Sequence, residues 1–433
     1  MADPGTSRRH RDGGSSWWRN RGSLGAAMAG RSNGFGLIRL VLALAVVVSH
    51  SNPLGYGRLD PGTGWSGAQT NLGTLSVIGF FVISGFMITG SGLRLGVWRF
   101  AWHRALRLLP GLWACLAVTA LLVAPVLYHH QHGSLVGFWQ HPDGPLQYLQ
   151  GMWNTSISNG FDISGIMRTG VQRGTNYNAG FDGALWSLQY EIFCYVLVGI
   201  FAFGGLLRRA PRTVALLAGG LWVLILENLL DAPSLRGAPA EPATLFDVPV
   251  LGPLSSHYLI YLSFVFLLGA TMRLYRDRVP VNDLLALGCL VAALASMHYG
   301  AFFVVGCPAF AYLVMWLGVR MPRRLHPIGQ SHDYSYGVYI YGFVVEQVLV
   351  MYHGTRWGHA AYLGMALVGT MVAAVLSCHL IEAPALKLKD WAPGFLNRER
   401  DAAGAAAEPA LVELAEQRSE CSEPVLEDLG ELR

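Results

Sequence analysis

Long apolar stretches, separated by polar or glycine-rich connections, make up most of the chain between residues 35 and 381. A helix needs about 20 mostly apolar residues to cross a bilayer core ~30 Å thick. This pattern predicts an all-α, polytopic membrane protein with about ten transmembrane helices. The stretches lie at 35–52, 74–92, 108–127, 184–206, 213–230, 255–272, 282–298, 301–319, 334–352 and 360–381.

Arginines near the ends of these stretches predict how the helices are oriented, because basic residues accumulate in cytoplasmic connections. Successive connections alternate between many and few arginines. The basic N-terminus is on the same side as the arginine-rich connections. We therefore predict that both termini are cytoplasmic. The arginine-rich connections hold Arg94, Arg99, Arg104, Arg107, Arg208, Arg209, Arg212, Arg273, Arg276, Arg278, Arg320, Arg323 and Arg324; the others hold Arg58, Arg168, Arg173, Arg236 and Arg356.

The composition supports a membrane protein and argues against a nucleic-acid-binding one. Of the 433 residues, 52% are hydrophobic and only 13% are charged, whereas soluble domains carry about 25% charged residues. The net charge is +4, and the arginines are scattered between apolar runs. A nucleic-acid-binding face would need clustered basic residues, so no nucleic-acid partner is expected.

The two ends of the chain differ from the apolar part between them. Residues 1–33 are basic and residues 386–433 are acidic and poor in large apolar groups, so both are predicted to be disordered cytoplasmic segments. A cleaved signal peptide is disfavoured, because Arg39 interrupts the first apolar run and no small-residue cleavage site follows it. Residues 34–385 are predicted to form the membrane domain.

The first apolar stretch holds two ionisable residues, Arg39 and His50. They are eleven positions apart, so on a helix they share a face and are separated by roughly 16 Å along the axis. Ionisable residues in membrane spans usually face the protein interior or a wet cavity. The pair could line one groove across the membrane. Alternatively, Arg39 snorkels to the headgroups while His50 bonds to a backbone carbonyl.

Three further groups of residues are candidate site residues. Arg104 and Arg107 share a helix face and could bind phosphate oxygens bidentately, or simply flank a span on its cytoplasmic side. Glu191 lies roughly 8 Å deeper than Trp186, at a depth suited to orienting a histidine, or it forms a structural ion pair. The small residues of the second span permit close approach of a helix or a slim ligand: Gly79, Ser84, Gly85, Thr89, Gly90 and Gly92.

Other polar and sulfur-containing residues are less informative. The histidines of "YHHQH" at 128–132 lack the carboxylate or cysteine spacing of a metal site, so a solvated loop is expected and no metal. The cysteines include no CxxC pair and are interpreted as packing residues. Four residues in the spans or at their ends could form structural pairs: Glu227, Glu346, His379 and Glu382.

Taken together, these strings resemble the membrane acyltransferase-3 family, over about residues 34–385. The resemblance rests on Arg39 with His50 after ten intervening residues, on "FFVISGFMIT" at 80–89, on Arg104-x-x-Arg107 and on "WSLQYE" at 186–191. Weaker similarities are "SYGVYIY" at 335–341 and "EAP" at 382–384. The chain departs from the family where relatives often carry a histidine after the "SYGVYIY"-like string, because Gly342 stands there. It is also expected to be a stand-alone member, without the C-terminal esterase-like domain of some relatives.

The resemblance implies an O-acyltransferase of the bacterial inner membrane, acting on a hydroxyl of a sugar with cytoplasmic acyl-CoA, acetyl-CoA by default, as donor. No permanently bound cofactor is implied. His50 would be the general base, or would itself be acylated, with Glu191 orienting its ring. Trp186 and Ser187 would lie at the acceptor. The donor's phosphates and arm would be held by Arg39, Arg104, Arg107, Ser84 and Gly85.

Three alternatives to an acyltransferase remain open on the sequence. An exporter or flippase of a lipid-linked glycan would also need polar groups in its spans, although no internal repeat typical of transporters is present. A lipid-linked-sugar glycosyltransferase would favour acidic residues in outer loops, and here Asp60, Asp143, Asp162 and Asp182 are dispersed. A structural scaffold is disfavoured by the intramembrane Arg, His and Glu. The acceptor and the oligomeric state cannot be deduced from the sequence.

Overall fold

The structure, a computed structural model, describes residues 22–30, 33–153, 162–167, 180–237, 245–248, 251–389 and 391. Apart from one two-stranded hairpin of β1 (Leu245–Val248) and β2 (Gly252–Ser255), the regular structure of these residues is helical. Eight helices are long and apolar enough to cross a membrane, and two shorter apolar helices bring the described set to ten. The all-α, polytopic fold predicted from the apolar pattern is therefore confirmed.

The ten helices follow the predicted stretches in order, and we number them along the chain. Shorter helical segments, such as Pro145–Met152 and Leu206–Arg209, lie in the connections. The helices are α1 (Phe35–Tyr56), α2 (Leu72–Gly92), α3 (Val97–His132), α4 (Gly183–Phe203), α5 (Pro211–Leu230), α6 (Ser256–Leu274), α7 (Asp283–Tyr299), α8 (Phe302–Arg320), α9 (Ser335–Met351) and α10 (His359–Lys387).

Three of these helices contain a π turn, and each π turn is followed by a proline. The turns are Thr119–Val123 in α3, Phe302–Gly306 in α8 and Cys378–Glu382 in α10. Proline has no N–H to donate and its ring clashes with the carbonyl four residues earlier, so widening the preceding turn lets the helix continue. The prolines are Pro125, Pro308 and Pro384.

The described residues group into two compact units, which we treat separately. The first unit draws on Met1–Phe86, Ala215–Leu245 and Ser255–Ser335, and the second on Met87–Val214, Phe246–Leu254 and Tyr336–Arg433. Each unit has its own buried apolar side chains, such as Phe266 and Phe302 in the first and Phe138 and Phe181 in the second.

Two segments differ from what the sequence predicted. Residues 22–30, expected to be disordered, include a short helix whose Leu24 is buried and whose amides bond to the carbonyls of Val279 and Arg276. The sequence pattern missed this because the segment is too short to show periodicity. The three histidines of "YHHQH" lie in the last turn of α3 rather than in a loop. Other parts of the predicted terminal segments, residues 1–21 and 392–433, lie outside the described residues.

Candidate active site

Helix α1 brings Arg39 and His50 into the first unit, and its arginine is paired. The guanidinium of Arg39 forms an ion pair with the carboxylate of Asp333, in the segment just before α9. Asp333 also accepts a hydrogen bond from the backbone N–H of Ser335, at 3.1 Å. Neither side chain of the pair is fully buried, with 30% of Arg39 and 19% of Asp333 exposed. Arg39 is therefore paired with an acid that is distant in the sequence.

His50 lies near the end of α1, where the helix is shaped by Pro53. Because Pro53 has no N–H, the carbonyl of Ser49 loses its usual helical partner at this point. The helix still runs to Tyr56 and ends at Gly57, whose φ of 60° suits a glycine and whose N–H bonds to the carbonyls of Asn52 and Pro53. The helix therefore continues past His50 with one hydrogen bond fewer.

A carboxylate from the following loop lies beside this part of α1. Ser49, which is fully buried, donates its hydroxyl to Asp60 Oδ1 at 2.7 Å and accepts a bond from the N–H of Gly73 at 3.0 Å. The Asp60 carboxylate is also close enough to His50 to act on its imidazole electrostatically. The sequence shows Asp60 only as one of several acids dispersed over the outer connections.

The glycine-rich helix α2 packs closely against α6 in the first unit. A Cβ on Gly85 would lie 1.9 Å from the carbonyl oxygen of Phe266, and a Cβ on Gly269 would lie 2.1 Å from that of Val82. Two helix backbones can approach this closely only where side chains are absent. Helix packing alone explains why a glycine is present at position 85. The role of Ser84 and Gly85 in donor binding stays a prediction.

Gly85→Ala should destabilise the protein by about 3 kcal/mol or more, because the added methyl group meets backbone that cannot rotate away. The measurement is the melting temperature of the purified protein in detergent. Gly219→Ala in α5 is the matched control, since nothing lies within 4 Å of a Cβ there and alanine favours helix. Equal melting temperatures for the two variants would contradict the close contact.

In the second unit, Arg107 is held by a buried acid. Its guanidinium pairs with Glu382 at 3.2 Å, and the side chains are only 15% and 3% exposed. The ring of Tyr336 lies under the same guanidinium, 5.5 Å from its centre. Ser377 donates to the other oxygen of Glu382 at 3.2 Å. The interpretation of Glu382 as a member of a structural pair is confirmed.

Arg104, one turn earlier, lines a groove of about 520 Å³ between α3 and α4. Its walls are apolar and include Trp98 and Phe203, which are mostly exposed. Arg99 and Lys389 lie near enough to act electrostatically on His103, as Arg104 does. Three basic side chains therefore gather around His103 at the start of α3, which suits an anionic ligand.

The residues of "WSLQYE" lie at the start of α4. Ser187 is buried and its hydroxyl is 2.6 Å from that of Tyr339, which also donates to the carbonyl of Ala184 at 2.6 Å. The carboxylate of Glu191 accepts a hydrogen bond from Tyr195, at 2.5 Å, and Tyr195 itself lines the groove of Arg104. Trp186 packs edge-on against Tyr190. The pairing of Glu191 with His50 stays a prediction.

Asp182, just before α4, is fully buried, with Cys115 Sγ 4.0 Å from its Oδ1. Burial raises the pKa of Asp182 well above its ordinary range, because a charged carboxylate would lose its hydration there. Burial therefore favours the protonated form of this side chain.

Two acids of the site could not be assigned from the sequence: Asp60 and Asp333. The "LDPG" string of Asp60 is typical of a turn and carries no sign of its partner. Asp333 pairs with a residue 294 positions away, and no periodic pattern predicts such a contact. Among the described residues, no group of three or more His, Cys, Asp or Glu is placed to hold a metal ion.

Comparison with known proteins identifies the family of the chain. The family model described as an acyltransferase domain, acyltransferase-3, matches residues 32–380. The chain is 27% identical over 361 residues to the "O-acetyl transferase" of Shigella phage Sf6, which covers 81% of this chain and 95% of the relative. It is 28% identical over 374 residues to "Nodulation protein 10" of Rhizobium leguminosarum bv. viciae, covering 83% and 95%. No solved structure matches.

These findings define the class of protein as a multi-pass membrane acyltransferase. The matched model spans most of the sequence, and the chain belongs to the acyltransferase-3 family.

Proposed function

We propose that the protein transfers an acyl group, acetyl by default, from acyl-CoA on the cytoplasmic side of a bacterial inner membrane to a hydroxyl of a sugar in an exported or surface glycan. Its similarity to a protein named O-acetyl transferase supports transfer to oxygen. The observation that carries the proposal is His50: an imidazole within an apolar helix, with a carboxylate beside it. A histidine beside a carboxylate is a common arrangement for a general base that deprotonates an alcohol.

In this reaction the acceptor's hydroxyl oxygen attacks the carbonyl carbon of the thioester while His50 takes the hydroxyl proton. The carbon–sulfur bond then breaks, and the CoA thiolate leaves with the proton that His50 returns. Proton transfer of this kind contributes about 10²–10⁴-fold to the rate. Atoms and charge balance without any further reactant.

The donor's phosphates are proposed to bind at the start of α3. Arg104 lines the groove there, with Arg99 and Lys389 nearby. Arg107, already paired with Glu382, is better placed to hold this end of α3 in position than to bind phosphate by itself. Arg39, paired with Asp333, is also proposed to bind the donor. Trp186, Ser187 and Glu191 are proposed for the acceptor side.

The test is transfer of label from acetyl-CoA. Purified protein in vesicles is mixed with radiolabelled acetyl-CoA and an extract of the host's envelope glycans, and the products are separated and weighed. We expect label in a glycan whose mass has grown by one acetyl group. A glycan that crosses the membrane with its mass unchanged would instead favour the exporter or flippase.

Arg104→Ala should raise the KM for acyl-CoA about tenfold, since a hydrogen bond to a charged group contributes about 1.5–3 kcal/mol, and should leave kcat nearly unchanged. The measurement is the dependence of the transfer rate on acyl-CoA concentration. Arg212→Ala, an exposed arginine at the start of α5, is the matched control. An unchanged donor dependence in Arg104→Ala would leave this arginine with a topological role only.

A further inference from the structure

The loop after α1, residues 57–71, is held to its surroundings at both ends. Near its start, the carbonyl of Asp60 accepts from the N–H of Thr63 at 3.1 Å, and that of Pro61 accepts from Leu72 at 2.9 Å. These bonds close the loop onto the start of α2. Asp60 therefore lies in a defined turn rather than in a freely moving connection.

The far end of the loop is fixed by Gln69, which is buried. Its amide nitrogen donates to the carbonyls of Ser296 at 3.2 Å and Met297 at 2.8 Å, and its amide oxygen accepts from the N–H of Phe302 at 3.0 Å. Arg236 adds a bond to the carbonyl of Trp65 at 3.1 Å. One side chain thus ties the loop to α7 and α8, and little freedom is left for the residues between the anchors.

The carboxylate of Asp60 is itself aimed at α1. Ser49 donates to its Oδ1 at 2.7 Å, and Ser49 is locked in turn by the N–H of Gly73. His50 is the next residue along α1 and interacts electrostatically with the same carboxylate. An immobile anion next to an imidazole favours one ring orientation and stabilises the imidazolium that forms when a base takes a proton.

We infer that Asp60 is a positioning residue for His50: its carboxylate orients the imidazole and balances the charge that it acquires during acyl transfer. Ser49 holds the carboxylate in place. This inference rests on the proposed function, in which His50 is the general base. It gives the orienting role to an acid of the same unit, ten residues along the chain, in addition to the predicted Glu191.

The decisive variant is Asp60→Asn, because the amide oxygen can still accept the bond from Ser49 while the charge is lost. We expect kcat to fall about 100-fold, the upper end of the losses found when the partner of a metal-bound histidine is removed, with the KM for acetyl-CoA changed less than twofold. Asp60→Glu keeps the charge and should recover at least tenfold of that loss. Asp231→Asn, an exposed acid at the end of α5, is the matched control and should retain full activity.

Binding of acetyl-CoA to each variant measures the fraction of folded protein, and rates are divided by that fraction. If Asp60 merely pinned the loop, Asp60→Asn would stay close to wild type while Asp60→Ala lost activity, and the inference would be overturned. Equal rates for Asp60→Asn and Asp60→Glu would also overturn it. The His50→Ala variant is measured in parallel to separate the two proposals. If His50→Ala keeps its activity, His50 is not the general base. If His50→Ala is inactive while Asp60→Asn is active, only the role of Asp60 is rejected.

Discussion

His50→Ala is expected to abolish measurable acyl transfer while the protein still binds acyl-CoA. Removing the imidazole takes away the base that accepts the acceptor's proton, and general-base catalysis contributes about 10²–10⁴-fold. Asp60 would lose its neighbouring ring but keep its bond to Ser49, so the loop after α1 should stay folded. The measurement is the transfer of label from acetyl-CoA to the acceptor, alongside a direct binding assay for the donor.

The control for this variant is His359→Ala, which removes an exposed histidine at the start of α10. It should leave both transfer and donor binding unchanged. A His50→Ala protein that binds acyl-CoA much more weakly but transfers at the normal rate once the donor is saturating would assign His50 to the donor site instead. Trapping of labelled acetyl on wild-type protein, absent from His50→Ala, would favour the acyl-histidine variant of the mechanism.

The sequence predicted the helices well, because each apolar stretch is long and few charged residues interrupt it. The predicted helix boundaries differ from the observed ones where a helix extends beyond its apolar stretch. The third stretch is predicted at 108–127, and α3 in fact runs from Val97 to His132. Residues 97–107 mix basic with aromatic side chains and residues 128–132 are mostly polar, so neither segment belongs to the apolar stretch. The π turns were not anticipated, although Pro125, Pro308 and Pro384 give a local signal for them in retrospect.

The candidate site could be predicted only in part, because sequence spacing reports neighbours along one helix and little else. Arg39 and His50 were recognised since they interrupt an apolar run. The acids that lie beside them were not recognised. Asp60 is in a loop, and Asp333 is brought to Arg39 by the packing of distant segments. The sequence indicates that Glu382 is an acid at the end of an apolar stretch, but no pattern in it predicts that Arg107 is the partner.

Glu382→Gln should destabilise the protein by about 3–5 kcal/mol, since removing one partner of a buried ion pair leaves the other charge uncompensated. Arg107 is only 15% exposed, so water cannot replace the lost carboxylate. The π turn that ends at Glu382 aims this side chain at α3, and a glutamine there can keep a hydrogen bond but not the charge. The melting temperature in detergent should fall clearly below that of Glu227→Gln, an exposed glutamate in α5.

The double variant Arg107→Met/Glu382→Gln decides whether the cost comes from the unpaired charge. With the guanidinium gone, the loss of Glu382 should matter much less, so the double variant should be more stable than the sum of the two single losses. Simple additivity would mean that each side chain acts by packing, for example Arg107 against the ring of Tyr336. The ion pair would then be incidental, and the start of α3 would owe its position to aromatic contacts instead.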